Sequence, residues 1–298
     1  MNERVVYALG FFDGVHLGHA SLLTACRRMA DELGCKAGVV TFESHPDALV
    51  HGTAPGLINT LHDRNKLLRE RYNMDTVISL PFDRAMMNTP WQDFFRMLLE
   101  TYLAAGLVCG EDFRFGRKGE GNSEKLMDAC REAGIPGVVV PQMKLDDIPV
   151  SSTHIRHLLE MGRMRDAVRF LGHPYILSGS VVHGHQLGRR LGMPTANLML
   201  PKELVVPRMG VYACHCIVEG RRYAAVTNIG TRPTVAGIGI TVETWIMDYQ
   251  GDLYGREIQL EFYEFLRPEI RFPDLEQLQQ AVYRDAEKTK EILKRISL

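Results

Sequence analysis

Two histidines three residues apart lie in a glycine-rich turn near the start of the chain. His16 and His19 follow a short apolar run, Val5–Leu9, typical of a β-strand, and precede a segment with helical apolar spacing. Backbone N–H groups at a helix start are unpaired, and the helix dipole favours an anion there. The turn therefore predicts a site for the phosphates of a nucleoside triphosphate, although it matches neither GxGxxG nor GxxxxGKS/T. Taken alone, so short a pattern also occurs by chance.

Three consecutive hydroxyl side chains begin a later predicted helix. Ser151, Ser152 and Thr153 end a loop, and Arg156 follows one helical turn further on. Hydroxyls cap helix starts and can donate to phosphate oxygens, while arginine is a permanent cation. An ordinary helix cap explains the segment equally well on its own. Combined with the two histidines, it predicts a site that neutralises charge around an α-phosphorus under attack.

A second glycine-rich segment, residues 183–197, lies in the other half of the chain. Gly184 and Gly188 would let the backbone approach a phosphate closely. Thr195 and Asn197 add a hydroxyl and an amide oxygen, which are hard ligands suited to Mg²⁺ carrying ATP. A turn at the corner of a β-barrel is the alternative explanation.

Glu243 is a carboxylate inside an apolar, strand-like run. Such a side chain is costly to bury without a partner or a task. It is a candidate general base for a hydroxyl nucleophile. The alternative is a glutamate that faces solvent on the other phase of the strand.

The composition is that of a globular protein. The chain has 298 residues, 45% hydrophobic and 24% charged, with a formal net charge of −1, and its length favours two domains. No basic stripe predicts a nucleic-acid partner, and no apolar run is long enough for a membrane span. Six cysteines without a CxxC pair, and a start without signal-peptide character, predict a reduced, cytoplasmic protein.

Strand-like and helix-like segments alternate in the first half, which predicts a parallel sheet with helices on both faces and ligands at the carboxyl ends of its strands. The predicted strands are Val5–Leu9, 37–42, Thr76–Leu80, 107–109 and 138–140; the predicted helices begin near residue 20, cover 62–72, begin near Pro90, and cover 123–133 and 153–171.

Strand-like segments dominate after residue 173, which predicts a small closed antiparallel barrel. The predicted strands are 176–182, 211–218, 223–227, 241–247 and 258–265, followed by one long amphipathic helix over 274–296. We therefore expect one domain over residues 1–172 and a second over 173–298.

Four segments of the first half resemble the FAD synthetase module of prokaryotic bifunctional riboflavin kinase/FAD synthetases. They are residues 10–19, 41–46, 110–116 and 151–156, in the order and spacing of that family. The resemblance implies a Rossmann-like nucleotidyltransferase fold. It also places Gly10, Phe12, Gly18 and Asp112 among the residues that bind ATP or flavin. Ser44 departs from the family, which usually has proline there.

Six segments of the second half resemble the riboflavin kinase module of the same family. They are residues 184–197, 210–213, 228–234, 242–243, 252–255 and 266–269. The resemblance implies that Thr195 and Asn197 hold Mg²⁺ and ATP phosphates, that Glu243 activates the ribityl 5′-hydroxyl, and that Arg267 helps to bind the substrates. Trp245 departs from the family, which commonly has histidine there, and its bulk could narrow the flavin site.

The resemblance implies two reactions: ATP phosphorylates riboflavin to FMN, and a second ATP adenylylates FMN to FAD with release of pyrophosphate. His16, His19 and Arg156 would stabilise the second transition state. The expected partners are ATP, riboflavin, FMN and FAD, with Mg²⁺ and without nucleic acid or membrane. Trp245 leaves one alternative, a FAD synthetase whose kinase-like domain only docks flavin. A flavin-binding protein without turnover is the other alternative.

Overall fold

The computed structural model describes residues 4–183, 188, 192–234 and 237–296. Within it the chain forms two compact units. The first holds the residues up to Leu57 together with Leu61–Ser152, and the second holds Ile58–Thr60 together with the chain from Thr153 onward. The expected domain boundary after residue 172 stays a prediction.

The first unit is built around five parallel strands. Its elements in chain order are β1 (Val5–Leu9), α1 (Leu17–Leu33), β2 (Lys36–Phe42), α2 (Asp47–Val50), α3 (Leu61–Lys66), β3 (Thr76–Leu80), α4 (Arg84–Asn88), α5 (Trp91–Glu100), β4 (Ala104–Gly110), β5 (Arg114–Phe115), β6 (Gly121–Asn122), α6 (Ser123–Glu132), β7 (Gly137–Val140), β8 (Lys144–Leu145) and β9 (Ile148–Pro149). The parallel sheet has the order β3-β2-β1-β4-β7.

This strand order reverses direction at β1. The chain builds outward from β1 through β2 to β3, then returns to the other side of β1 with β4 and β7. Ligands of such sheets bind in the crevice at the carboxyl ends of the strands where the order reverses. The strand order therefore predicts a ligand site at the segments that follow β1 and β4. The predicted parallel α/β fold of the first half and its predicted strands are confirmed.

Two predicted helices of the first half differ from the structure. The helix expected over 62–72 begins as α3 and continues as a π-helical turn, Leu67–Arg71. The helix expected over 153–171 is two helices, α7 (Ser152–Glu160) and α8 (Met164–Leu171). Gly162 separates them in the left-handed region, with a φ of 72° that interrupts the helical hydrogen bonding.

The second unit contains a curled antiparallel sheet and a long helix. After α7 and α8 come β10 (Tyr175–Ser180), β11 (Thr195–Met199), β12 (Gly210–Val218), β13 (Arg221–Thr234), β14 (Gly237–Ile246), β15 (Glu257–Arg267) and α9 (Leu275–Ile296). The sheet order is β10-β15-β12-β13-β14-β11. Just beyond β10, the Val182 N–H donates to the Asn197 carbonyl of β11 at 2.8 Å. This bond joins the two edges, so the sheet forms the predicted small barrel in a partly closed form.

The final helix covers one side of this sheet. Asp274 caps α9 by accepting a hydrogen bond from the Gln277 N–H at 2.8 Å. A stripe of buried residues on α9 packs against the strands, mainly β12 and β13. None of the described helices is both long and apolar enough to cross a membrane.

Candidate functional site

The segment between β1 and α1, residues 10–16, has an unusual backbone, and we call it the phosphate turn. Phe12, Gly14 and Val15 have φ values of 58°, 81° and 40°. Left-handed φ values are uncommon outside glycine and rarer still for a β-branched residue such as valine. Such a conformation persists only where the surrounding structure holds it in place.

Four side chains from distant parts of the first unit hold the phosphate turn. All of them donate hydrogen bonds to its backbone carbonyl oxygens. The bonds run from Thr41 Oγ1 to Phe11 at 2.9 Å, from Arg64 Nη1 to Phe11 at 3.1 Å, from Ser152 Oγ to Asp13 at 2.8 Å, and from Tyr72 Oη to Val15 at 3.3 Å. The turn is therefore a pre-formed element.

His16 and His19 lie together, as their spacing predicted. Their rings stack with centroids 3.6 Å apart, and the His19 backbone N–H donates to His16 Nδ1 at 3.3 Å. His16 thus caps α1 as a neutral imidazole with its proton on Nε2. A Cβ atom on Gly18 would lie only 3.2 Å from the His16 ring, so glycine makes room for this arrangement.

Burial keeps the second imidazole neutral. The pKa of His19 lies well below 6.5 because burial penalises the charged ring, and the neighbouring His16 and the Arg64 cation act in the same direction. Its Nδ1 atom is buried and has no hydrogen-bond partner within the described ranges. Two neutral rings can donate N–H groups to a phosphate without adding charge to the free site.

A cavity of about 380 Å³ lies at the carboxyl ends of β1 and β4, which is the crevice that the sheet order indicates; we call it the nucleotide cleft. Of the residues assigned from sequence, its walls contain Gly10, His16, Gly18, His19, Asp112, Ser151 and Ser152. The structure brings these residues together. Asp112 is exposed, and its Oδ1 would lie 3.0 Å from a Cβ atom on Gly110.

Three other residues assigned to this site are placed differently. Phe12 is fully buried, and its ring packs behind Gly10 and 5.0 Å from the His19 ring, so it supports the turn from inside. Thr153 is exposed and Arg156 is half-buried on α7, and both belong to the second compact unit. Their part in nucleotide binding stays a prediction.

A second cavity of about 740 Å³ in the first unit shares Phe42, Pro46, Phe94, Arg114 and Phe115 with the nucleotide cleft. Aromatic and methionine side chains form most of its apolar wall, and three cations, Arg114, Arg117 and Lys118, lie along it. Sequence analysis did not find this cavity. The aromatic residues of segment 110–116 were the only signal for it.

In the second unit, the strand register aligns Glu243 with two asparagines. Asn197 of β11 and Asn228 of β13 lie directly opposite Glu243 of β14 on its two sides. Directly paired residues present their side chains on the same face of a sheet. Sequence analysis missed both β11 as a strand and Asn228 as a site residue, although 228–234 was one of the family-like segments.

Glu243 lines a cavity of about 220 Å³ beneath α9, together with Thr195, Gly188, Asn228, Trp245 and Arg267. Trp245 lies two residues after Glu243 in β14 and so on the same face, and its ring packs edge-on against Tyr283 of α9 at 5.8 Å. We call this cavity the barrel pocket. Its walls combine apolar side chains with a few polar ones, which suits a ligand with a flat apolar part and a hydroxyl.

Two further contacts organise the barrel pocket. The half-buried Arg267 forms an ion pair with the buried Asp285 of α9, with Nη2 and Oδ2 2.8 Å apart. Asn228 Nδ2 donates to Glu269 Oε1 at 3.0 Å. The first pair ties the end of β15 to α9, and the second orients an asparagine beside Glu243.

The residues assigned to Mg²⁺ carry the oxygen atoms that this ion needs. Asn197 is buried, and its Oδ1 has no hydrogen-bond partner within the described ranges, while Thr195 lines the barrel pocket. The described residues contain no cluster of three histidine, cysteine or acidic side chains. Magnesium here would be held by amide and hydroxyl oxygens together with substrate phosphates, all of them hard oxygen ligands of the kind that Mg²⁺ takes.

Glycine is required at one described position of the loop before β11. The Met193 N–H donates to the Gly188 carbonyl at 2.8 Å, and a Cβ atom on Gly188 would lie 2.2 Å from the Met193 oxygen. Any other residue would push this turn apart. Gly184 lies outside the described residues, so its assignment stays a prediction.

Comparison with known proteins identifies both halves. A family model described as FAD synthetase matches residues 1–154, and one described as riboflavin kinase matches residues 171–293. A bifunctional riboflavin kinase/FMN adenylyltransferase from Haemophilus influenzae is 36% identical over 285 residues, covering 95% of this chain and 92% of that protein. Its counterpart from Escherichia coli K12 is 37% identical over 286 residues, with coverages of 95% and 91%.

A solved structure has the same fold along the whole chain. The crystal structure of a macrolide-efflux protein from Streptococcus pneumoniae matches with a TM-score of 0.87 and 28% identity, covering 97% of this chain and 95% of that one. The family models and the curated relatives agree on both activities. The chain therefore belongs to the family of bifunctional riboflavin kinase/FMN adenylyltransferases, enzymes that use ATP to make FMN from riboflavin and then FAD from FMN.

Proposed function

We propose that residues 1–172 carry FMN adenylylation and residues 173–298 carry riboflavin phosphorylation, each at its own ATP site. The observation that supports this most strongly is the nucleotide cleft, where two stacked neutral imidazoles and the start of α1 meet at the reversal of the strand order. The barrel pocket is a separate group of residues, in which a carboxylate, Glu243, lies between two asparagines and can act as a base.

In adenylylation, an oxygen of the FMN phosphate attacks the α-phosphorus of ATP, the bond from that phosphorus to the bridging oxygen breaks, and pyrophosphate leaves. The His16 and His19 N–H groups donate to the phosphate oxygens as negative charge builds up on them. The hydroxyls of Ser151, Ser152 and Thr153 and the Arg156 cation complete the proposed set. None of these residues needs to form a covalent intermediate.

FMN, the acceptor, also requires a binding site, and we assign it to the 740 Å³ cavity that adjoins the nucleotide cleft. Its aromatic and methionine walls suit an isoalloxazine ring. Arg114, shared by both cavities, supplies a cation where a flavin phosphate would meet the α-phosphorus. Asp112, which the family resemblance placed beside the substrates, lines the nucleotide cleft close to that point.

In the kinase reaction, the riboflavin 5′-hydroxyl oxygen attacks the γ-phosphorus of ATP. Glu243 accepts the hydroxyl proton, and ADP leaves. Asn197 and Thr195 would hold Mg²⁺, which neutralises phosphate charge when bound. Gly184 and Gly188 are assigned to close backbone approach to the phosphates. Arg267, fixed by Asp285, is assigned to the substrate side of the barrel pocket.

Trp245 belongs to the wall of the barrel pocket in this proposal. Its ring packs on Tyr283, and Glu243 is among the residues that line the same pocket, which supports a base that stays accessible beside the indole. A cytoplasmic location is also part of the proposal, because six thiols without a disulfide suit a reducing compartment.

The test is to incubate the purified chain with ATP, Mg²⁺ and either riboflavin or FMN, and to separate the flavins by chromatography. We expect FMN and then FAD from riboflavin, and FAD directly from FMN. FAD from FMN but no FMN from riboflavin would remove the kinase half of the proposal. ATP-dependent flavin binding without any product would remove both halves.

A further inference from the structure

Arg64 of α3 is a charged side chain buried to 1% exposure. Its guanidinium donates to two backbone carbonyls, from Nη1 to Phe11 at 3.1 Å and from Nη2 to Phe42 at 2.5 Å, and its central carbon lies 4.4 Å from the centre of the Phe11 ring. Burial lowers the pKa of Arg64 to about 10, against the opposing effect of Asp13, so the side chain is still a cation at neutral pH. Burying a cation is costly, which points to a specific task.

The two carbonyls that Arg64 holds belong to neighbouring parallel strands. Phe42 is the last residue of β2, and Phe11 follows β1 as part of the phosphate turn. Both carbonyls are at the carboxyl edge of the sheet, where the nucleotide cleft lies. The Thr41 hydroxyl donates to the same Phe11 carbonyl at 2.9 Å. Arg64 therefore ties two strand ends to the first residues of the turn.

The residues that follow Phe11 are the ones that need support. Phe12 and Val15 have left-handed backbones, and His16, the cap of α1, comes next. If the contact at Phe11 were lost, the turn could relax and the two imidazoles would move. A displacement of about 1 Å in a reacting group can lower a rate by about 10²-fold.

We propose that Arg64 is a positioning residue for adenylyl transfer: its guanidinium fixes the phosphate turn in its left-handed conformation and so holds the His16 and His19 rings at the nucleotide cleft. Arg64 is not among the described residues that line the cleft, so it acts through the turn. The inference rests on the proposed function of that cleft. The Arg64 cation also contributes to the low pKa of His19.

The first test compares variants of the full chain. Arg64→Met keeps most of the side-chain length and removes the charge and the donors, and Arg64→Lys keeps the charge. We expect Arg64→Met to lower kcat/KM for FAD formation from FMN by about 10²-fold, and Arg64→Lys to recover part of that loss. Riboflavin phosphorylation by the same samples should not change, which reports the fold of the second unit, and a cooperative melting transition of the first unit reports the fold around Arg64 itself.

A matched control is available on α1. Arg27 also bonds a backbone carbonyl of the first unit, that of Asn73, and it pairs with Asp75 at 2.9 Å. It does not contact the phosphate turn. Arg27→Met should therefore leave FAD formation close to that of the unchanged protein.

A double-mutant cycle separates positioning from general destabilisation. If Arg64 acts through the imidazoles, Arg64→Met should lower kcat/KM for FAD formation much less in a His19→Ala background than in the unchanged protein. An undiminished loss in that background would overturn the inference, and so would an Arg64→Met enzyme with unchanged FAD formation. If Arg64→Met does not fold, the same cycle with Thr41→Val decides the question, because Thr41 donates to the same carbonyl.

The two proposals fail in different ways. If the unchanged protein makes no FAD from FMN, the function assigned to the nucleotide cleft is wrong. If it makes FAD but Arg64 substitutions show no coupling to His19, only the positioning role is wrong.

Discussion

The His19 imidazole illustrates how the environment of one residue sets its chemistry. Its ring stacks on His16 and is buried, so the neutral form is favoured in the folded chain. A neutral imidazole can donate to a phosphate oxygen, and it can become a cation only where bound phosphate compensates the charge. Acid pH therefore destabilises the ligand-free fold, because it favours the charged form of this buried ring.

This leads to a prediction about stability and pH. The folded-state pKa of His19 lies below the ordinary 6.5, so the unfolded chain takes up the proton first as the pH falls. Above about pH 6.5 the neutral ring carries no penalty. As the pH falls from there to the folded-state pKa, the free energy of unfolding decreases. His19→Gln should reduce the fall in melting temperature of the first unit on acidification.

The control for that measurement is His51→Gln, because the His51 side chain is 67% exposed. This change should leave the acid dependence of the melting temperature as it is. An unchanged acid dependence in His19→Gln would show that burial of His19 does not destabilise its charged form.

The Oδ1 atom of Asn197, which has no hydrogen-bond partner among the residues that the structure describes, gives a prediction for Mg²⁺. Asn197→Leu keeps the volume and removes the oxygen. We expect the free protein to keep most of its stability, and the rise in melting temperature of the second unit caused by ATP with Mg²⁺ to disappear. Kinase kcat/KM should fall by more than about 10-fold.

Asn59 provides a matched control, since it is a second buried asparagine of the same unit and donates to the Ile176 carbonyl at 3.5 Å. Asn59→Leu should lower stability without abolishing the response to ATP with Mg²⁺. If Asn197→Leu keeps the full response, the assignment of this oxygen to Mg²⁺ is wrong.

At the scale of elements, the ion pair of Arg267 with Asp285 joins β15 to α9 beside the barrel pocket. Only 9% of the Asp285 side chain is exposed. Asp285→Ala leaves a half-buried guanidinium, 21% exposed, without its carboxylate partner, and we expect a loss of about 1.5–3 kcal/mol in the free energy of unfolding of the second unit. Kinase activity should fall with it, while FAD formation from FMN should persist.

An exposed pair in the same unit provides the comparison. Arg256 and Glu219 also form an ion pair, but 71% of the Glu219 side chain is exposed. Glu219→Ala should cost less than about 1 kcal/mol in chemical denaturation. Equal losses in the two variants would contradict the claim that Asp285 fixes α9 onto the barrel.

The elements also show which features local sequence can predict. The strands Val5–Leu9 and Thr76–Leu80 were predicted residue for residue, because a buried apolar run marks the first and β-branched residues are frequent in the second, which is mostly half-buried. The strand β11 was missed, since polar residues of a glycine-rich segment begin it and its pairing with β14 is formed across some 50 residues of chain. The break between α7 and α8 was missed because it depends on one glycine, Gly162.

The same reasoning explains what sequence could predict of the two sites. His16 and His19 are three residues apart at a helix start, so the cap and the first turn of α1 bring them together without any distant contact. Arg64 reaches the phosphate turn only because β1 and β2 are neighbours in the sheet, and Asn228 reaches Glu243 only through the register of β13 with β14. Contacts that arise from tertiary pairing leave no local spacing to detect.

At the scale of the whole molecule, the chain combines two compact units. The proposed function gives each unit its own site, with hydrogen-bond donors in the nucleotide cleft and a carboxylate base in the barrel pocket. Because the sites are built from different residues, a substitution in one should leave the reaction of the other intact.

Reciprocal substitution of His16 and Glu243 tests this central claim most directly, with flavins separated by chromatography after incubation with ATP and Mg²⁺. We predict that His16→Ala converts riboflavin to FMN but forms FAD about 10²–10³-fold more slowly. Glu243→Ala should form FAD from added FMN at the normal rate and make little FMN from riboflavin. Equal damage to both reactions by either substitution would contradict the division of the two activities between separate sites.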